Sequence, residues 1–125
     1  MKCLDTYALV EIHNGNPKFA QFIAQDCVIT DITFAEFYAG IYRSYNLQTA
    51  DYWHRKLSFL CRPVSREILL KAVRFRVDNK KQNLSFFDCV GYIFAIENNM
   101  VFVTGDKEFQ HKPAVEFVKK EYVHS

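Results

Sequence analysis

Short apolar runs alternate along this chain with longer stretches of helical character, and no other feature restricts its fold as much. The clearest run is Met100-Val101-Phe102-Val103-Thr104, which is continuous, rich in β-branched residues and bounded by Asn98-Asn99 and Gly105. Lys2-Cys3-Leu4 and Cys27-Val28-Ile29 are shorter runs of the same kind, suited to buried strands. Residues 114–118 make a last strand, and Arg62-Pro63-Val64 is short and extended.

Helices are expected between these runs. The first covers residues 6–12. After the break at Asn14-Gly15-Asn16-Pro17, Asn16 caps a second helix whose apolar face is Phe19, Phe22 and Ile23, and Pro17 suits its first turn. A third opens around Thr30-Asp31-Ile32-Thr33 and runs to about Tyr45, and a fourth covers residues 49–60. Ser65 caps a helix carrying Ile68, Leu69, Ala72 and Val73. After the polar loop Lys80-Lys81-Gln82-Asn83, Ser85 starts another with Val90, Ile93, Phe94 and Ile96 inside it. Residues 106–109 form a turn or short helix. Strands alternating with helices predict an α/β fold: a mostly parallel sheet of about four or five strands with helices on both faces. No repeat, linker or low-complexity segment divides the chain, so residues 1–125 are expected to form a single domain.

Half of the residues are hydrophobic and 16% aromatic, enough for a sizeable core. Sixteen basic and fourteen acidic residues leave a formal charge of +2. That near balance conceals a basic stretch, Arg62, Arg66, Lys71, Arg74, Arg76, Lys80 and Lys81, interrupted only by Glu67 and Asp78. Such a stretch is either a solvated helix face or a surface that meets phosphates. Cys3, Cys27, Cys61 and Cys89 form no CxxC pair and lie in or beside apolar runs, so they read as reduced structural residues. His13, His54, His111 and His124 lack ligand spacing and read as surface or packing residues. The N-terminus MKCLDTY has no signal-peptide core, and no run reaches transmembrane length. A soluble, cytoplasmic protein without membrane contact is expected.

Four acids stand where a parallel sheet exposes a site. Ligands of open α/β sheets bind beyond the carboxyl ends of the strands. Asp5 follows the first strand directly, and Asp106 follows the residue 101–104 strand after one glycine. Glu36 lies in the first turns of the helix after the second strand, and Asp88 in the first turn of the helix opened by Ser85. Each has a structural alternative: Thr33-x-x-Glu36 and Ser85-x-x-Asp88 both match a capping box, Asp106 could cap a short helix, and Asp5 could begin a turn. Together they are harder to explain structurally, because clustered carboxylates repel and are costly to desolvate. A divalent cation resolves that, and hard oxygen ligands favour Mg²⁺ or Mn²⁺.

The ordered set Leu4-Asp5-Thr6, Thr33-Phe34-Ala35-Glu36, Leu84-Ser85-Phe86-Phe87-Asp88 and Val103-Thr104-Gly105-Asp106-Lys107-Glu108-Phe109 resembles the PIN-domain family. Within it, the chain is most similar to the toxin ribonucleases of VapBC toxin–antitoxin systems. The resemblance covers Lys2 to about Val118 and implies a PIN-like three-layer α/β/α sandwich. It also implies that Asp5, Asp88 and Asp106 bind metal, that Glu36 helps hold metal or orient water, and that Thr104 supports the site by hydrogen bonding. Thr6 follows the first aspartate as it often does in that family. Phe87, Asn83 and the bulky Gly91-Tyr92-Ile93-Phe94 depart from the family pattern and bear on specificity and helix packing.

The activity so implied is a Mg²⁺- or Mn²⁺-dependent endoribonuclease, a hydrolase of RNA phosphodiesters. The implied setting is a type II toxin acting as a homodimer and blocked by a small antitoxin protein. Arg43, Lys80, Lys81 and Lys107 are the basic residues placed to hold phosphates. A housekeeping RNA-processing nuclease with the same site, or a non-catalytic PIN-like scaffold binding RNA or protein, are the alternatives. A receiver domain needs adjacent acids after an early strand and a strand-ending aspartate mid-chain, and this sequence has neither.

Overall fold

A computed structural model describes residues 1–119; His124 lies outside the described residues. The described residues form five strands, β1 (Lys2–Leu4), β2 (Cys27–Thr30), β3 (Cys61–Arg62), β4 (Val101–Thr104) and β5 (Val115–Phe117). Six α-helices accompany them: α1 (Thr6–His13), α2 (Pro17–Ala20), α3 (Asp31–Ser44), α4 (Leu47–Leu57), α5 (Arg66–Asp78) and α6 (Phe86–Glu97). Every strand pair is parallel, in the order β3-β2-β1-β4-β5.

Alternating side chains send neighbouring strand residues to opposite faces of the sheet. Leu4, Ile29 and Val103 pack with Leu9, Phe19, Phe37 and Leu57 on the face covered by α1–α4. Cys3, Val28 and Phe102 pack on the other face with Val90, Tyr92 and Ala72, beneath α5 and α6. The result is the expected three-layer α/β/α sandwich. Five strands complete the sheet, the upper end of the expected number.

Several boundaries differ from the expectation for local reasons. The second helix is not continuous. It is a four-residue α2 followed by a 3₁₀ turn, Gln21–Ala24. A helix this short cannot stand on its own propensity, and the tighter turn sets Phe19 and Phe22, three residues apart, on one buried face. The fourth helix starts two residues early because Asn46 caps it, accepting from Thr49 N–H at 2.7 Å, and it ends at Leu57 before a 3₁₀ turn. The short extended segment begins at Cys61 rather than Arg62, and Pro63, without an N–H, follows the end of strand β3. Asn99 takes a left-handed φ of 55° where the chain turns from α6 into β4.

The topology determines where a site can form. From β1 the chain winds outward through β2 to β3, then crosses back so that β4 lies on the other side of β1. The reversal between β1 and β4 opens a crevice beyond their carboxyl ends. Leu4 is in register with Val103, and Asp5 N–H donates to the Val103 carbonyl at 3.1 Å. The residues that leave these two strands are therefore side by side.

Candidate active site

Asp5 leaves β1 into the crevice and is fully buried. Its Oδ1 caps α1, accepting from Ala8 N–H at 2.7 Å, while Oδ2 is buried with no hydrogen-bond partner. A cap needs one oxygen, so capping explains half of this carboxyl. Asp106 leaves β4. Its N–H donates to Thr104 Oγ1 at 2.9 Å, and its Oδ1 accepts from Glu108 N–H at 3.0 Å, capping the 3₁₀ turn Lys107–Phe109. Thr104 is fully buried, so its hydroxyl fixes the turn that carries Asp106.

Asp88 sits in the first turn of α6, where its N–H donates to the Ser85 cap at 3.1 Å. The expected Ser85 cap is present. The Thr33–Glu36 capping box is not: Thr30 caps α3 by accepting from Thr33 N–H at 3.0 Å, and Thr33 is a buried residue within the helix. The cap begins at Thr30 because β2 runs without a break into α3. Glu36 is therefore more than a turn inside the helix, and its Oε1 accepts from the Thr6 hydroxyl at the start of α1. The sequence assigns Thr6 no partner, because nothing local links residues thirty positions apart.

The electrostatics place the four acids in one neighbourhood. Burial pushes the Asp5 carboxyl well above its usual range, and Asp88 and then Asp106 push it further, against the Thr104 hydroxyl and Ala8 N–H, which favour the charged form. Burial, then Glu36 and Asp106, raise Asp88 from 3.8 to about 7. No group of three or more His, Cys, Asp or Glu among the described residues is arranged to hold an ion as it stands. The acids nevertheless fit a hard divalent cation by donor chemistry: all-oxygen ligands, an orphaned buried carboxylate oxygen, and mutual repulsion that a cation would relieve.

The raised Asp88 carboxyl has a consequence for stability. The folded chain holds this proton more tightly than the unfolded chain, whose carboxyl titrates near 3.8. Its stabilising contribution is present at low pH and is lost as pH rises from about 4 through about 7. In EDTA the protein is expected to melt lower at about pH 8 than at about pH 5, and Asp88→Asn should flatten that slope. An equally steep slope in the variant, by calorimetry, would contradict the assignment.

The other chemistry-bearing residues take structural positions. All four cysteines are free, and burial raises Cys3 to about 12 and Cys89 to about 11, which disqualifies them as nucleophiles. His13 accepts from Trp53 Nε1 at 3.0 Å, a packing role. Of the basic residues expected to meet phosphates, Arg43 lines a groove of about 430 Å³ that starts at Thr6 and Glu36 and runs between α1 and α3 to Tyr45. Lys107 is exposed directly after Asp106, and Lys80 and Lys81 are exposed after α5.

A sequence profile of the PIN domain matches residues 2–115. No curated protein matches the chain in sequence. Among solved structures, a toxin–antitoxin complex from Klebsiella pneumoniae is similar at TM-score 0.73 and 20% identity, over 98% of this chain and 100% of that one. VapC20 of Mycobacterium tuberculosis, described as a toxin that cleaves the sarcin–ricin loop, is similar at TM-score 0.76 and 15% identity, covering 95% and 98%. VapBC-1 from nontypeable Haemophilus influenzae gives TM-score 0.70 at 20% identity, covering 95% and 97%.

Proposed function

Because the chain belongs to the PIN-domain family, we propose that it is a Mg²⁺- or Mn²⁺-dependent endoribonuclease that hydrolyses RNA phosphodiesters with an activated water. The observation that carries this reading is the convergence of Asp5, Asp88, Asp106 and Glu36 at the β1–β4 crevice, with one Asp5 oxygen buried and unpaired. Asp5, Asp88 and Asp106 would hold the cation. The chemistry such a cation supplies is Lewis acidity and a water of lowered pKa.

The chain's own residues do the rest. Asp5, immobilised by its cap to α1, is the rigid member of the set. Thr104 holds the Asp106 turn in place through a backbone bond. Thr6 fixes Glu36 through one carboxylate oxygen, and the other oxygen takes the proton of the attacking water. The groove past Arg43 on one side and Lys107 on the other give the RNA backbone cationic contacts.

We further assign the protein as the toxin of a type II toxin–antitoxin pair, acting as a homodimer and inhibited by a small antitoxin. Supporting this is its likeness, over nearly the full length of both chains, to a protein described as a toxin–antitoxin complex and to another described as a toxin. No helix among the described residues is long and apolar enough to cross a membrane.

The reading is tested by metal removal. Dialysis against EDTA is expected to stop cleavage of a single-stranded RNA, and added Mn²⁺ or Mg²⁺ to restore it, with heat of Mn²⁺ binding by calorimetry. Cleavage that persists in EDTA overturns the metal-dependent reading. Absence of both heat and cleavage marks a non-catalytic scaffold. A small protein encoded beside this one that suppresses the cleavage is the expected antitoxin.

A further inference from the structure

A second cavity of about 390 Å³ lies between the end of α5 and the 79–84 loop, within the roughly 300–1,000 Å³ range of small-ligand sites. Its walls divide by chemistry. Val73 and Val77 on α5 are 44% and 61% exposed, although apolar, and Phe86 at the start of α6 completes the apolar lining. Asn83 contributes an exposed amide, and Arg76 and Lys80 contribute cations. Arg76 is fixed as part of the wall, because its Nε donates to the Leu84 carbonyl at 2.8 Å and so ties the loop to the helix.

Hydrogen bonds tie the loop that walls the cavity to the turn that carries Asp106. Gln82, another wall residue, accepts from Lys112 Nζ at 2.8 Å, and its amide donates to the Glu108 carbonyl at 3.4 Å, so the loop is held against the turn that follows Asp106. The cavity therefore lies on the flank of the Asp106 turn.

We propose that the cavity is a base-binding subsite that takes one unpaired nucleobase of the RNA beside the cleaved phosphate. It rests on the ribonuclease reading and adds a determinant of sequence preference to it. An unpaired base has an apolar face, a hydrogen-bonding edge and a phosphate on either side. The cavity matches these in turn with Val73, Val77 and Phe86, with the Asn83 amide, and with Arg76 and Lys80. Asn83 can both donate and accept, so it reads the edge, whereas Lys80 is indifferent to base identity.

The test measures fluorescence-anisotropy binding of labelled oligomers of A, C, G and U in EDTA. The parent and three variants are compared, with folding checked by circular dichroism and parent cleavage in Mn²⁺ run alongside. Asn83→Ala is expected to weaken some oligomers by about ten-fold and leave the others nearly unchanged. Lys80→Gln is expected to weaken all four alike and lower the slope of log affinity against log salt by about 0.7. Val73→Trp, which fills the cavity from an exposed helical position, is expected to weaken all four by about ten-fold. A parent that cleaves RNA while Asn83→Ala and Val73→Trp bind all oligomers as tightly overturns the subsite alone. A Val73→Trp chain that sediments differently but binds RNA unchanged assigns the cavity to a protein interface and also overturns it. A parent that neither binds nor cleaves overturns both readings.

Discussion

Asp5→Asn is expected to reduce cation-dependent RNA cleavage by about 10³-fold or more while raising the melting temperature of the metal-free protein. Both effects come from the same carboxyl. Its Oδ1 caps α1, and Asn is an equally good cap that keeps this bond to Ala8 N–H. Its Oδ2 is buried without a partner among acids that repel it. Removing that charge relieves the metal-free fold, with about 5 °C gained for each kcal/mol relieved. It also removes the most rigid ligand of a cation whose contribution to such chemistry is several kcal/mol, hence the factor of about 10³. Undiminished cleavage in both Asp5→Asn and Asp106→Asn would sink the nuclease assignment. A variant that melts lower than the parent would mean that the cap, not the charge, dominates at this position.

Gly105→Ala should have the second-largest effect, although Gly105 carries no chemistry. A Cβ at this position would stand 2.1 Å from Tyr7 Cε1 and 2.5 Å from Cδ1. The Tyr7 ring packs against the buried Phe19 ring at 5.9 Å and cannot swing away freely. Either α1 or the Asp106 turn has to move. Overpacking of this kind costs about 1–3 kcal/mol of stability, and a displacement of about 1 Å at a catalytic group costs about 100-fold in rate. Cleavage at saturating RNA is the readout. Adding Tyr7→Leu should recover most of the lost rate by restoring room. A Gly105→Ala chain as active as the parent would show that Asp106 is not positioned by this contact.

The site residues differ in how far the sequence alone makes them legible. Asp5 and Asp106 were legible because each follows an apolar run directly or after one residue, and a parallel sheet aligns the carboxyl ends of such runs. Asp88 was legible from the Ser85 start signal. The contact between Gly105 and Tyr7 was not, since it depends on the lateral distance between two strands and the direction of one ring. The Thr6–Glu36 bond is hidden for the same reason. A Thr-x-x-Glu spacing is satisfied locally, but the strand preceding α3 puts the cap at Thr30 and frees Glu36 for a partner on another helix. Helix ends erred where 3₁₀ turns took over, at residues 21–24 and 58–60, because propensity alone does not separate the last turn of an α-helix from a tighter one.

The pairing of β1 with β4 also governs when the proposed site comes into being as the chain is made. Asp5 precedes by almost a hundred residues the strand that lies beside it, and Asp106 emerges only after that strand, later than Asp88. A nascent or prematurely terminated chain ending before β4 has the first aspartate, the Glu36 helix and most of one core, yet no crevice and no second strand to form it. Long-range pairing of this kind closes late in folding. The proposed nuclease is thus inert on the ribosome until β4 and Asp106 have emerged, and a frameshift upstream of them yields an inert product rather than a weakened enzyme.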